Sequence, residues 1–352
     1  MSYATVARQA PGPPQRRPGP VRVAVIGLGR MGSDHVRRLM GDVGGAQVVA
    51  ACDPDAAARE RHEDEFGIAT FINADAMLDE SPIDGVIIAS PGELHVAQLL
   101  SCLERGLPIL CEKPLAPTIS AGQQIIDAEV AHGRRLIQLG FMRRFDDELS
   151  HLVATVHSNE IGDPLLVHCV HRNPSVRPTY VSENSLNDSL THEIDLLRWL
   201  LNDEVVGVQV MVPRSTPNAP HLADPKLILL EMASGVIADV EMYVNAAYGY
   251  EVRCEVVGSE GTVTTAVGSG PVLRHTGRVR QRIEASWAER FAQSYRREVA
   301  SWIRGIDAGV TAGPSAWDGL VASHVAAAAV ESYRSGRRVA VDALAAPTLY
   351  RS

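Results

Sequence analysis

Residues 21–32, VRVAVIGLGRMG, run from an apolar, β-branched stretch straight into three glycines, and no other part of the chain constrains the fold as tightly. A run such as VRVAVIG suits a strand buried on both faces of a parallel sheet. Helical residues follow to about Met40, and the pattern then repeats. QVVAACD reads as a strand, and DPDAAARERHEDEFG as a helix with Pro54 near its start and Gly67 at its end. Strands DGVIIAS, LPILCEK and RRLIQLGF alternate with helical ELHVAQLLSCLERG and SAGQQIIDAEVAHG. Such alternation implies right-handed crossovers and a parallel sheet covered by helices on both faces. The expectation is a doubly wound α/β domain over residues 21–140.

The glycines fall in the order G-x-G-x-x-G at Gly27, Gly29 and Gly32, where a strand gives way to a helix. They suit a tight turn, close approach of backbone to a pyrophosphate, and close helix-to-strand packing. The turn Gly27, Gly29, Arg30, Met31 and Gly32 is therefore expected to hold a dinucleotide. Asp53 ends the second strand about 20 residues beyond the last glycine, where a carboxylate accepts hydrogen bonds from the adenosine ribose. A carboxylate there repels a 2′-phosphate, so NAD is favoured over NADP, with Arg59 one turn further on as a competing influence.

Two more strand ends meet the same edge of the sheet. CEKPLAP places Glu112, Lys113 and Pro114 there, and a lysine so placed can donate to an oxygen that gains negative charge during reaction. ASPGELH brings Ser90 towards the nicotinamide side of the site, while His95 reads more simply as the opening of a helix, satisfied by backbone or water.

Beyond FMRRFDDELSHLVATVHS the alternation stops. PLLVHCVHR, EVVGVQVMV, KLILLEM, GVIADVEMYV, YEVRCEVVG and GTVTTAV read as strands joined through Gly, Asn or Pro turns, with a helix at 188–201. Consecutive strands without long crossovers pair largely antiparallel. Residues 141–335 are expected to form an α+β domain with a large open sheet, one face on helices and the other free for a partner. Two helices, about 287–309 and 316–335, end it, and 336–352 forms a C-terminal segment.

NDSLTHEIDLLRWL places Asp188, His192 and Asp195 at i, i+4 and i+7, a single stripe on an α-helix. A metal site, a general base with partners, and a solvated first turn compete for it. A divalent metal wants three or more protein ligands, and THEID is not H-E-x-x-H. A solvated face does not account for the apolar residues that follow at once. A neutral imidazole with an unperturbed pKa of about 6.5 suits removal of a hydroxyl proton near neutral pH. His192 is expected to be that base, with Asp188 orienting it or binding substrate and Asp195 a weaker third member.

GLGRMG, EKPLA, GFMRRFD, HRNPSV, DSLTHEIDLLRWLL, PHLADP and YGYEVRCEVVGSEGT, in that order between about residues 21 and 335, resemble the Gfo/Idh/MocA oxidoreductases, in particular their bacterial inositol dehydrogenase branch. The resemblance implies a Rossmann domain followed by an open-sheet domain, NAD(P) as hydride acceptor, a sugar or cyclitol substrate, and a homotetramer built through that sheet. It assigns catalysis to Lys113, Asp188 and His192 and substrate contact to Arg143 and Asn173. Tyr248 and Tyr250 correspond to residues near the polyol. Phe145 departs from the tyrosine of near relatives, a change that would alter cyclitol choice. Asn173, Tyr250 and the catalytic groups suit a neutral polyol; convergence of two among Arg143, Arg172 and Arg177 would instead suit a sugar acid or sugar phosphate. A non-catalytic dinucleotide sensor would use the same fold.

The chain has 352 residues, long enough for about two domains, and a formal charge of −9, which argues against a nucleic-acid partner. Five scattered cysteines without a C-x-x-C pair look like reduced thiols of a cytoplasmic protein. No apolar run of about 18 residues marks a membrane span. Residues 1–20, with five prolines and no apolar signal core, read as a disordered leader.

Overall fold

The computed structural model describes residues 19–266 and 268–351, so nearly all of the leader read at 1–20 lies outside the described residues. The first half comprises β1 (Val21–Ile26), α1 (Arg30–Gly41), β2 (Ala46–Cys52), α2 (Ala56–Phe66), β3 (Ala69–Phe71), α3 (Ala74–Glu80), β4 (Gly85–Ile88), α4 (His95–Glu104), β5 (Ile109–Cys111), α5 (Ile119–His132) and β6 (Ile137–Leu139). Its six strands are all parallel, in the order β3-β2-β1-β4-β5-β6. That order reverses between β1 and β4, so the carboxyl ends of β1, β4 and β5 open onto one crevice, where such sheets bind ligands. β4 and β5 are buried along their whole length, as their unbroken apolar runs require.

After α6 (Asp147–His157) the chain forms β7 (Pro164–Arg172), α7 (Thr191–Leu201), β8 (Val205–Met211), β9 (Lys226–Met232), β10 (Ile237–Tyr243), β11 (Glu251–Gly258) and β12 (Thr262–Thr264). These strands, with β15 (Val339–Ala340), make a seven-stranded sheet in the order β12-β11-β7-β10-β9-β8-β15. Only β7 and β10 pair parallel; the other neighbours are antiparallel. Burial alternates strictly along β9, so Ile228, Leu230 and Met232 face the helices while their neighbours face outward. The outer face carries ion pairs such as Arg172 with Glu241, and towards the other end of these strands exposed Leu166 and Ile237 sit side by side. A hairpin of β13 (Ser269–His275) and β14 (Arg278–Arg282) stands apart from both sheets.

The two halves share their packing. α8 (Trp287–Arg290) and α9 (Ala292–Ala308) follow the hairpin, and Val299, Trp302 and Ile303 of α9 pack on Val21, Val23 and Val25 of β1. The domain boundary expected at 140/141 therefore separates the sheets but not the layers, because α9 covers the first sheet. α10 (Ala316–Ser335) belongs to a continuous core that joins Leu99, Ile125 and Leu139 of the first half to Val240 and Val256 of the second. The C-terminal segment is bound in as well: Tyr350 donates to Glu129 of α5 and stacks on Trp317 at 6.1 Å. Contact of α9 with the sheet depends on Gly85, where a Cβ would lie 2.6 Å from Ile306 Cδ1 and 3.0 Å from the Trp302 ring. Gly85→Ala is expected to cost about 1–3 kcal/mol through overpacking. Chemical denaturation of the variant reads this directly, and an unchanged midpoint would contradict close seating of α9.

Candidate active site

The glycine turn has the shape that a dinucleotide needs. Gly27 has φ +89°, and a Cβ there would lie 2.8 Å from Ser90 N. At Gly32 a Cβ would lie 1.7 Å from Gly27 O, so α1 packs against the turn only without a side chain. A Cβ on Gly29 would meet nothing within 4 Å, and no side chain caps α1 at this residue. The open space and the uncapped helix start, with the amides of Arg30 and Met31, suit a pyrophosphate. The Asp53 carboxylate is fixed beside the turn, accepting from Leu28 N at 2.7 Å and Asp55 N at 2.9 Å. Arg59 turns back onto the carbonyls of Asp53 and Pro54 at 2.7 and 3.1 Å. Arg30 lies 4.5 Å from the centre of the Trp287 ring.

The other two strand ends are tied to this turn and to each other. Ser90 Oγ donates to Gln98 at 2.6 Å. His95 is fully buried, its two ring nitrogens against Ser90 O at 3.0 Å and Pro114 O at 2.7 Å, so it joins the β4 and β5 loops. Glu112 pairs with His35 of α1 at 2.9 Å. That contact makes Glu112 a brace between β5 and α1 rather than a free ligand of the cofactor.

Lys113 and Asp188, from opposite halves of the molecule, form an ion pair. Asp188 does not sit on a continuous α-helix: Ser185–Ser189 is a π turn, and α7 starts at Thr191. Burial alone would raise the Asp188 pKa, but the charge and hydrogen bond of Lys113, helped by Arg177 and His171, bring it below the ordinary value. His192 opens α7 and is 8% exposed, with Phe141 edge-on at 5.8 Å. Its Nδ1 is buried without a partner. Burial, followed by the charges of Arg143, Lys113 and His171, holds the imidazole well below its usual range, so it is neutral at neutral pH.

Close to this pair lies a second, buried set of charges, in which Arg143 Nε and Glu193 Oε2 have no partner among the described residues. Arg143 and Glu193 form an ion pair, each side chain 1% exposed, and His171 Nδ1 joins Glu193 at 3.0 Å. Burial would raise Glu193, but Arg143 and His171 take it down to about 2. Arg143 was expected to touch substrate. It is instead committed to Glu193 and to His171 at 3.2 Å, close to the site. The stripe read as Asp188, His192 and Asp195 divides for a similar reason. Asp195 is 1% exposed and paired with Arg144, at 3.0 Å to Nε, away from the other two.

A cavity of about 490 Å³ opens beside Asp188, lined also by Asn173, Tyr250, Arg30, Arg177 and Trp287. Asn173 Oδ1 is buried there without a partner, an acceptor waiting for a donor. Of Lys113, Asp188 and His192, Asp188 alone lines this cavity; Lys113 is joined to it by the ion pair, and His192 follows it in the chain near the start of α7. Arg172 and Tyr248 lie elsewhere, in a network with Glu241 and Glu251. Phe145 lies against Gly313, 3.2 Å from where its Cβ would stand, and does not line the cavity. Arg177, one of the three arginines read as marks of an anionic substrate, does line the cavity, whereas Tyr180, Ser189 and Trp287 carry no periodic signal in the sequence, coming from a loop, the π turn and a single-turn helix. Among the described residues, no three His, Cys, Asp or Glu side chains gather as a metal-ligand set.

Residues 21–141 match the family model of Gfo/Idh/MocA oxidoreductases, NAD-binding Rossmann fold, and residues 154–341 match the C-terminal alpha/beta domain of the same family. Inositol 2-dehydrogenase 1 of Saccharopolyspora erythraea is 44% identical over 333 residues, covering 94% of this chain and 99% of that one. Inositol 2-dehydrogenase of Streptomyces avermitilis is 43% identical, covering 93% and 96%. Among solved structures, myo-inositol dehydrogenase from Lactobacillus casei, in complex with NAD(H) and myo-inositol, superposes with a TM-score of 0.91 at 37% identity, covering 94% of this chain and 100% of that one. Both halves, in the order and with the glycine turn described above, place this chain in the Gfo/Idh/MocA oxidoreductase family, with an NAD-binding Rossmann domain at its N-terminal end.

Proposed function

We propose that the protein oxidises one ring hydroxyl of a cyclitol, myo-inositol or a close relative, to the keto-cyclitol, with NAD as the acceptor. The observation that carries this reading is the Lys113–Asp188 pair, drawn from both halves of the molecule next to a buried neutral histidine. NAD, held by the glycine turn and Asp53, takes up the hydride. His192 accepts the hydroxyl proton; its Nδ1 is shut away, which leaves Nε2 to do so. Lys113 donates to the same oxygen and stabilises negative charge as the proton leaves. Asp188 offsets the positive charge that forms on the imidazole and offers an acceptor to a neighbouring substrate hydroxyl. The set Lys113, Asp188 and His192 is intact, which favours catalysis over a sensor role.

The lining favours a neutral polyol. Arg143 is neutralised by Glu193, and Arg172 by Glu241 and Glu251, so of the three arginines that would mark an anionic substrate only Arg177 reaches the cavity. The unpartnered Asn173 Oδ1 suits a hydroxyl donor, and an analogue lacking that hydroxyl is penalised. Relatives named inositol 2-dehydrogenase, and a similar structure holding myo-inositol, support the same choice. The open outer face of the second sheet is where we place further copies in a homotetramer. Five buried free thiols accord with a cytoplasmic setting.

A panel of inositols and aldoses, followed by absorbance of reduced cofactor with NAD and NADP in parallel, tests this reading. Turnover is expected with a cyclitol, and about tenfold or more in favour of NAD, because the fixed Asp53 carboxylate repels a 2′-phosphate. Activity confined to aldoses or sugar acids would overturn the substrate. For the base, the imidazole must be neutral and its folded pKa is depressed, so kcat/KM should fall on acidification only well below pH 6.5. His192→Gln should abolish that acid limb and lower kcat by about 10²–10⁴-fold. A limb at or above pH 6.5, or near-normal turnover in the variant, would contradict the assignment.

A further inference from the structure

PHLADPK, residues 220–226, ends in two charged side chains for which the proposed chemistry has no use. Asp224 is 1% exposed and Lys226 2%. Each holds a different wall of the cavity. Asp224 Oδ1 accepts from Val244 N at 3.0 Å, and its Oδ2 accepts from Asn245 Nδ2 at 3.0 Å. These two residues lie inside the stretch that grips Asn173, whose N–H donates to Tyr243 O at 2.9 Å and whose carbonyl accepts from Ala246 N at 2.8 Å. On the other side, Lys226 Nζ donates to Ser185 Oγ at 2.9 Å and to Ala223 O at 2.5 Å. Ser185 opens the π turn that presents Asp188, and its carbonyl closes that turn by accepting from Leu190 N at 3.0 Å.

A buried ammonium is an expensive way to fill space. Among the described residues no carboxylate touches Lys226, and burial lowers its pKa to about 8 against the more distant charges of Asp224 and Glu183. The Tyr333 ring, centred 5.4 Å away, covers it. A methionine of similar length would pack there without the desolvation penalty. What methionine cannot do is donate to the π turn and to the loop at once. Asp224 is equally specific, since a carboxylate offers two acceptor oxygens to the two donors beside Asn173.

We propose that Asp224 and Lys226 are positioning residues that set the separation of Asn173 from Asp188 across the cavity, a role that rests on the reading that both touch substrate. Neither reaches the reacting atoms; each acts through the backbone that carries another residue. Misplacing a substrate-holding group by about 1 Å can cost up to about a hundredfold in rate. The NAD side is built from different strands and is left alone.

The test compares full-length wild type, Lys226→Met, Ser185→Ala, the double variant of those two, and Asp224→Ala, with cyclitol kinetics, the KM for NAD, and amide exchange over 185–191 and 244–246. In Asp224→Ala, amides 244–246 should exchange faster while the KM for NAD stays unchanged. In Lys226→Met, kcat/KM for cyclitol should fall about tenfold or more, the KM for NAD should stay within about twofold, and amides 185–191 should exchange faster. If Lys226 acts through Ser185, the double variant is no worse than Lys226→Met alone. Should Lys226→Met fail to fold, Ser185→Ala carries the same readings. Wild-type kinetics and exchange in the variants, or equal losses towards NAD and cyclitol, would overturn the role. A wild type inactive with every cyclitol would remove the proposed function instead, and the exchange at 185–191 would still decide whether Lys226 holds the π turn.

Discussion

The ion pair between Lys113 and Asp188 is the constraint on which the rest of the site depends. Lys113 follows β5 of the first sheet and Asp188 lies in the π turn of the second half, 75 residues apart in sequence. The pair can exist only because the halves are packed as one body. α10 runs through a core common to both, α9 returns to cover the first sheet, and Tyr350 closes the chain onto α5. Lys113 also keeps Asp188 charged, since its ammonium lowers the carboxylate's pKa against the effect of burial.

Around that pair the other buried charges are gathered into two sets. Glu193, Arg143 and His171 form a buried set near His192, and Arg144, Asp195, Asp318 and Arg198 form another along α7. Removing one partner of such a buried pair costs about 3–5 kcal/mol, so these charges hold the backbone firmly even where their net contribution to stability is small. The same arrangement raises the barrier to a charged His192. Burial first, and then the charge of Arg143, disfavours an imidazolium at His192 and keeps the ring neutral.

Much of this was legible in the residues. The fully buried strands announced themselves as short β-branched runs, and all six segments read as strands in the second half form strands. What escaped had no pattern to follow. β3 has three residues, and every residue of β14 is exposed, so neither carries a usable alternation. At the site, glycine spacing and E-K-P were readable because one short segment contains the whole geometry. Spacing misled where the outcome depended on distant partners. Asp195 shares a helical stripe with His192, but Arg144, 51 residues away, takes it. Arg143 carries a substrate-like charge, yet Glu193, 50 residues on, buries it. A π turn in place of the first turn of an α-helix leaves no mark in residue spacing at all.

A crystal structure of the protein with NADH and a bound cyclitol tests the central claim most directly. Lys113 Nζ and His192 Nε2 should both lie within about 3 Å of one ring oxygen, with its carbon facing the nicotinamide. A cyclitol held in the cavity with that oxygen touching neither group, or with the nicotinamide turned away from both, would contradict the account.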